Sequence, residues 1–385
     1  MEKADKLQGD SVASREIVGR LKALMIEQSL PLWGSTGWDA ARGGFYERLR
    51  DDGQPDSDAP RRVRVQGRQI YCFATAARLG WFEQGRSIAL AGLDYMLGKA
   101  RRPDGGYAHM LAPDGTVADD RRDSYDHAFV LLALASVYAL TKDAQVRSEI
   151  DLALRFLDSK LKSPHGGALE GVPHALPRRQ NPQMHLFEAM LALYEATGEA
   201  QFQNRAGDYF GLFVANLFDQ RTQTLGEYFE DDWAPVPPAV VEPGHQAEWV
   251  WLLRGFERNT GCPTGRFRSA LLSSALRYTD AATGCLVDEG DAAGNVTRST
   301  RRLWPQTEIA KAWIAQAETD EAGAEQKALE ALARLEQHYL SHPMRGGWYD
   351  QFDASGQSLV KDIPASSFYH VLCAISEAHL VFEQG

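Results

Sequence analysis

Six short segments recur along this chain at a period of roughly 60 residues. They are Gly43-Gly-Phe-Tyr-Glu47, Gly105-Gly-Tyr-Ala-His109, Gly166-Gly-Ala-Leu-Glu170, Gly226-Glu-Tyr-Phe-Glu230, Gly284-Cys-Leu-Val-Asp288 and Gly346-Gly-Trp-Tyr-Asp350. Each reads as a tight turn entering a short strand. Amphipathic runs fill the intervals in pairs. They predict helices near 14–30, 63–80, 85–99, 124–140, 145–161, 182–197, 202–216, 245–260, 266–281, 305–318, 322–340 and 366–383. A helical hairpin cannot bury its own apolar face, so six of them either close into a ring or stack as an open superhelix. The expected fold is all-α: a closed (α/α)6 barrel of twelve helices, with short β segments only in the loops. It forms one domain over 1–385, with 1–13 mobile. The even-numbered helices carry all-round apolar runs such as Ala128-Phe-Val-Leu-Leu-Ala-Leu-Ala135, which places them in the inner ring.

Composition narrows the function. The formal net charge of −11 argues against nucleic acid, which needs a basic face. Cys72, Cys262, Cys285 and Cys373 are scattered, which fits a reduced cytoplasmic protein. Met1-Glu-Lys-Ala-Asp-Lys6 has no signal-peptide apolar run, and no stretch is expected to reach the length of a membrane span. A monomer or homodimer is expected.

In a closed ring the inner helices run the same way, so their first turns meet at one mouth. Those turns carry Arg68, then Tyr125-Asp-His127, His185 with Glu188, His245 with Glu248, Trp304-Pro-Gln306-Thr-Glu308, and His370. Singly, each has a plain structural reading: a cap, an ion-pair partner or core. Together they predict a pocket. No His-Glu-x-x-His pair exists, so a catalytic metal is not expected, although three helices could bring three His to one ion. Without a metal, three His imply proton transfer. The helix dipole disfavours the charged form of His245 and Glu248 favours it, so His245 is expected near neutrality. Arg68 would stabilise an oxyanion, and Trp304 offers an apolar face to a sugar ring.

At Val65-Gln-Gly-Arg68-Gln69, Asn181-Pro-Gln-Met-His185-Leu-Phe-Glu188, Gly244-His245-Gln-Ala-Glu248-Trp249, Arg302-Leu-Trp304-Pro305 and Phe368-Tyr-His370, the chain resembles the N-acylglucosamine 2-epimerase superfamily over nearly its whole length. The resemblance implies an (α/α)6 barrel and cofactor-free aldose–ketose isomerisation or 2-epimerisation. It implies His370 as the base at C2, His245 as its acid/base partner and Arg68 on the enediolate oxygen. His185, Glu248, Tyr125 and Trp304 would bind the sugar, and Glu188, Gln306 and Glu308 are placed with them in the mouth. No Trp stands in the residues just before His370, which disfavours a disaccharide. The expected substrate is therefore a monosaccharide, mannose interconverting with fructose. Arg61, Arg62, Arg64, Arg178 and Arg179 keep a phosphosugar open. A glycoside hydrolase using Glu188, Glu248 and Glu308 is the competing enzyme, and a non-catalytic sugar- or partner-binding scaffold is the third reading.

Overall fold

The computed structural model describes residues 16–384. The stretch expected to be mobile, 1–13, lies outside them. Twelve helices are present among the described residues. Six form the outer layer: α1 (16–35), α3 (Gly85–Ala100), α5 (Ala144–Phe156), α7 (Ala200–Leu212), α9 (Gly265–Leu276) and α11 (Ala324–Leu335). Six form the inner layer: α2 (Val63–Arg78), α4 (Ser124–Thr141), α6 (Gln180–Thr197), α8 (Pro243–Thr260), α10 (Leu303–Ala317) and α12 (Ser366–Phe382). Each inner helix packs on the next, and α12 packs back on α2, so the ring closes. The even/odd assignment holds. Leu131, Leu134, Leu186, Leu253, Ala310 and Leu372 of the inner helices are wholly buried.

Helix α4 departs from expectation. Its 18 residues have a mean hydropathy of 1.2, long and apolar enough by composition to cross a membrane. In this fold that apolarity is used inside the ring, where Phe129 to Leu134 lie between α2 and α6.

The repeat is tied together by backbone. An extended dipeptide precedes each inner helix and pairs antiparallel with the loop of the following repeat. Arg61–Arg62 pairs with Met110–Leu111, and Arg122–Asp123 with Gly171–Val172. The pattern continues until Ile363–Pro364, before α12, pairs with Arg48–Leu49 of the first repeat. Beside each ladder, the residue that opens the inner helix, or for α12 the residue just before it, is placed to give its N–H to the next loop. Val63 bonds His109 O, Ser124 bonds Glu170 O, Gln180 bonds Glu227 O, Leu303 bonds Asp350 O and Ala365 bonds Glu47 O. The sixth such residue is Pro243, which has no N–H to give. These bonds set the register of all six repeats. A second tie uses a side-chain amide. Gln66, Gln183, Gln246 and Gln306 each clamp both backbone groups of one loop residue, respectively Phe45, Ala168, Leu225 and Leu286.

That register places Glu47, His109, Glu170, Glu227, Asp288 and Asp350 at one equivalent loop position, so the fourth segment of the repeat begins at residue 223 rather than Gly226. Five of the six turns start on a glycine with positive φ, Gly43, Gly105, Gly166, Gly284 and Gly346, and the fourth on Gln223 at φ 57°. A side chain there clashes with its own backbone, a strain that glycine avoids. Gln223→Gly is therefore expected to stabilise the fold by about 0.5–1 kcal/mol, seen as a higher urea midpoint at unchanged m-value.

Candidate active site

The register also sorts the mouth into layers. The fifth residue after each register residue gives one ring of six: Arg68, Phe129, His185, Glu248, Glu308 and His370. Four members of this ring, Arg68, His185, Glu248 and His370, floor a cavity of about 190 Å³ lined also by Tyr125, Asn181, Glu242, His245, Arg302 and Trp304. Tyr125, Asn181, Gly244 and Trp304 share the layer just above the floor. A side chain on Gly244 would lie 2.5 Å from the Trp304 ring, so the glycine makes room for the indole. Trp304 leans over both His245, at 4.9 Å between ring centres, and His370, at 5.8 Å.

Each histidine of the cavity is backed by its own carboxylate. His185 Nδ1 lies 2.8 Å from Glu188, His370 Nδ1 lies 2.8 Å from Glu308, and His245 Nδ1 lies 2.9 Å from Glu227. A carboxylate can only accept, so the Nδ1–H donates in each pair and Nε2 is left for the cavity. Arg68 gives one N–H to Tyr125 Oη at 2.8 Å and stacks on Phe129 at 4.3 Å. Glu248 Oε1 is buried with no hydrogen-bond partner in the protein, 3.9 Å from His185 Nε2.

The two histidines expected to do chemistry are polarised in opposite directions. Burial works against the imidazolium of His245. The carboxylates of Glu227 and Glu242 outweigh it, and its pKa is raised to about 9. Burial also acts on His370, there only partly offset by Glu308 and reinforced by Arg68 and Lys311, and its pKa falls to about 4. At neutral pH one is an acid and the other a free base. Environments that split the pKa values of like groups in one site mark the acid and base roles. His185 is also pushed down, by burial first, against the pull of Glu188.

Several expectations are corrected here. His245 is not near neutrality, and its partner is Glu227 rather than Glu248. The His-x-x-Glu spacing makes a direct pair at His185–Glu188, where the histidine is the floor residue and the glutamate lies a turn beneath. At 245 and 248 the glutamate is the floor residue, so the same spacing leaves them in different layers. Gln306 does not face the cavity, because its amide is committed to Leu286 as one of the four loop clamps. Glu188 and Glu308 lie behind their histidines, away from the lining of the cavity. Asn181, Glu227, Glu242 and Arg302 were not singled out from sequence as site residues. His109 and Asp126 occupy the positions of Glu227 and His245 in the second repeat with the two residue types exchanged, and they too bond, at 2.6 Å.

Among the described residues three groups bring possible metal ligands within 4.8 Å: His109, Asp123 and Asp126; Glu227, Glu242 and His245; and Glu248, Glu308 and His370. The three cavity histidines do not form such a set together. In the second and third groups the histidine Nδ1 is already bonded to a carboxylate, and Glu308 pairs with the ammonium of Lys311 at 2.7 Å.

The barrel and the histidine-rich mouth are those of a sugar isomerase or 2-epimerase, the class to which similarity to known proteins assigns the chain. The sequence model of N-acylglucosamine 2-epimerase matches residues 44–374, and the chain belongs to that family. It is 36% identical over 375 residues to the mannose-6-phosphate isomerase of Rhizobium meliloti (strain 1021), covering 93% of this chain and 96% of that one. Two solved structures share its fold. The cellobiose 2-epimerase of Spirochaeta thermophila superposes with a TM-score of 0.87 at 22% identity, covering 97% of this chain and 98% of that one. A crystal structure of D-mannose isomerase superposes with 0.84 at 23%, covering 94% and 97%.

Proposed function

We propose that this protein interconverts D-mannose and D-fructose through an enediolate, by histidine acid–base catalysis without a metal. The observation that carries the reading is the opposite polarisation of His245 and His370 across one small cavity. His370 Nε2 takes the proton from C2 of the open-chain aldose. The electron pair moves into the C1–C2 bond as the carbonyl oxygen gains negative charge beside Arg68. The protonated His245 first assists ring opening by giving its proton to the ring oxygen, and later exchanges protons with the sugar oxygens. Return of the proton from His370 to C1 yields the ketose. A base held this far down is weak, so the oxyanion donors carry much of the barrier reduction, about 10²–10³-fold for one preorganised donor.

The cavity of about 190 Å³ is smaller than the roughly 300–1,000 Å³ typical of sites for drug-sized ligands, which favours a monosaccharide. An unphosphorylated sugar fits the charges at the rim. Arg62 pairs with Glu47, Arg64 with Asp126 at 3.1 Å, Arg179 with Glu170 at 2.6 Å, and Arg302 with Glu242 at 3.2 Å. A phosphate would have to compete with these carboxylates for each cation. The relative named mannose-6-phosphate isomerase is the reason to test both sugars.

Incubation with mannose, mannose 6-phosphate, glucose and cellobiose in heavy water, followed by proton NMR, tests the reading. Mannose is expected to give fructose labelled at C1, at a kcat/KM at least tenfold above conversion of the phosphate. A dominant glucose product labelled at C2 would make the protein an epimerase, with the protonated His245 as the candidate second proton donor. Full activity after prolonged chelation is expected. Loss reversed by zinc or manganese would sink the metal-free mechanism.

A further inference from the structure

Beneath the floor of the cavity lies a further ring of six equivalent residues: Tyr71, Leu132, Glu188, Trp251, Lys311 and Cys373. Lys311 is the one cation in this ring, and it is wholly buried. A lysine is almost never found so deep unless paired, because the ammonium must be stripped of water. Its Nζ lies 2.7 Å from Glu308 Oε2 and 3.9 Å from the centre of the Trp251 ring. The other oxygen of Glu308 accepts the Nδ1–H of His370 at 2.8 Å. One carboxylate thus bridges an ammonium below to an imidazole above.

We propose that Lys311 is a positioning residue that reaches the reacting atoms through Glu308: its ammonium fixes the carboxylate that decides which nitrogen of His370 faces the sugar. That His370 meets the sugar rests on the isomerase reading above. The chain Lys311–Glu308–His370 does not.

The surroundings explain why a cation is needed there. Glu188 on α6 and Glu248 on α8 face the same buried region, with Tyr369 and Cys373 on α12. Arg68 on α2 is the other fixed positive charge that acts on His370. Without Lys311, Glu308 and Glu248 are two carboxyls competing for ionisation with no cation between them. With it, burial still opposes ionisation of Glu308, but the ammonium and His370 hold its pKa below the usual range. Glu248 goes the other way, raised by burial and by the charge of Glu308. Of the two acids Glu248 is the readier to hold a proton, which keeps Glu308 an acceptor. A protonated Glu308 would offer His370 a donor instead and let the imidazole take its other tautomer, with Nε2–H towards the sugar, which cannot accept a proton from C2.

The test is Lys311→Met in the full chain, with Lys311→Gln as a second variant that keeps a donor to Glu308 without the charge. In both, kcat on mannose is expected to fall about 10²-fold with KM within about twofold, the size of effect seen when a partner that orients a functional histidine is removed. Glu308 then takes up a proton more readily, so the acid limb of the kcat/KM profile moves up by a pH unit or more. The nitrogen NMR shifts of His370 in 15N-histidine-labelled protein are expected to report loss of the Nδ1–H tautomer. Combining Lys311→Met with Glu308→Gln should cost no more than Glu308→Gln alone. Activity within threefold of wild type in both variants would overturn the proposal. So would a loss that leaves the acid limb and the His370 shifts unmoved and adds to the Glu308→Gln loss, which is the pattern of a packing defect. If the wild type turns over no hexose, the isomerase reading fails, and the NMR shifts alone still decide whether Lys311 sets the tautomer.

Discussion

His370→Ala is expected to abolish exchange of the C2 hydrogen of mannose with solvent and to lower turnover by roughly 10³-fold. A general base contributes about 10²–10⁴-fold by itself. The middle of that range applies to a base this weak, and no other group is placed to replace it. Glu308, behind it, accepts from Nδ1 and pairs with Lys311, so neither of its oxygens is free for the sugar. Burial also holds His185 towards its free form, but its Nε2 looks towards Glu248. Exchange in heavy water separates the base from groups that only bind. A binding residue would raise KM and leave exchange running at saturating sugar. Exchange near the wild-type rate in His370→Ala would remove His370 from this role and move attention to His185.

The second large effect is expected at His245. His245→Ala should lower kcat by about 10²–10³-fold, the range for loss of one acid–base group. It should also change the shape of the pH profile. In the wild type, activity requires His370 unprotonated and His245 protonated, which gives a bell with limbs near the values of about 4 and about 9. Removing His245 takes away the basic limb. Glu227→Gln keeps the histidine but deletes a carboxylate that holds its proton, so the basic limb should move to lower pH. Stability follows the same sign. The folded pKa of His245 lies above its ordinary 6.5, so its contribution is complete below 6.5 and is lost as pH rises through about 9. A wild-type melting temperature that declines over this interval, with the decline missing in His245→Ala, would tie both observations to one proton. A basic limb that survives in His245→Ala would assign it elsewhere.

The fold was legible because its signals are local and repeated six times. Helix periodicity and glycine-led turns needed no knowledge of partners, and the twelve predicted helices match the observed ones to within a few residues at most ends. The mouth was legible for the same reason: equivalent positions on parallel inner helices must converge. Partners contributed by loops were not legible. Glu227 was missed because Gln223 stands where the other turns have glycine, which displaced the apparent start of the fourth repeat to Gly226 and its acidic residue to Glu230. Arg302 opens one quoted motif and Glu242 stands two residues before another, but nothing in their spacing shows that they meet. Gln306 was misplaced because a side chain in a helix's first turn can face the ring's interior or clamp a neighbouring loop. Only the loop, 20 residues earlier, decides between the two.

The antiparallel pair between Arg48–Leu49 and Ile363–Pro364 has a consequence for how activity arises during synthesis. It is the seam at which the most distant parts of the chain are joined, and the helix it positions carries His370. A chain that stopped before α12 would carry His245, Arg68 and Trp304 and still lack His370. Without α12, the faces of α2 and α10 that it covers would be open to solvent. Packing of the last helix would complete the floor of the cavity and cover those two faces together.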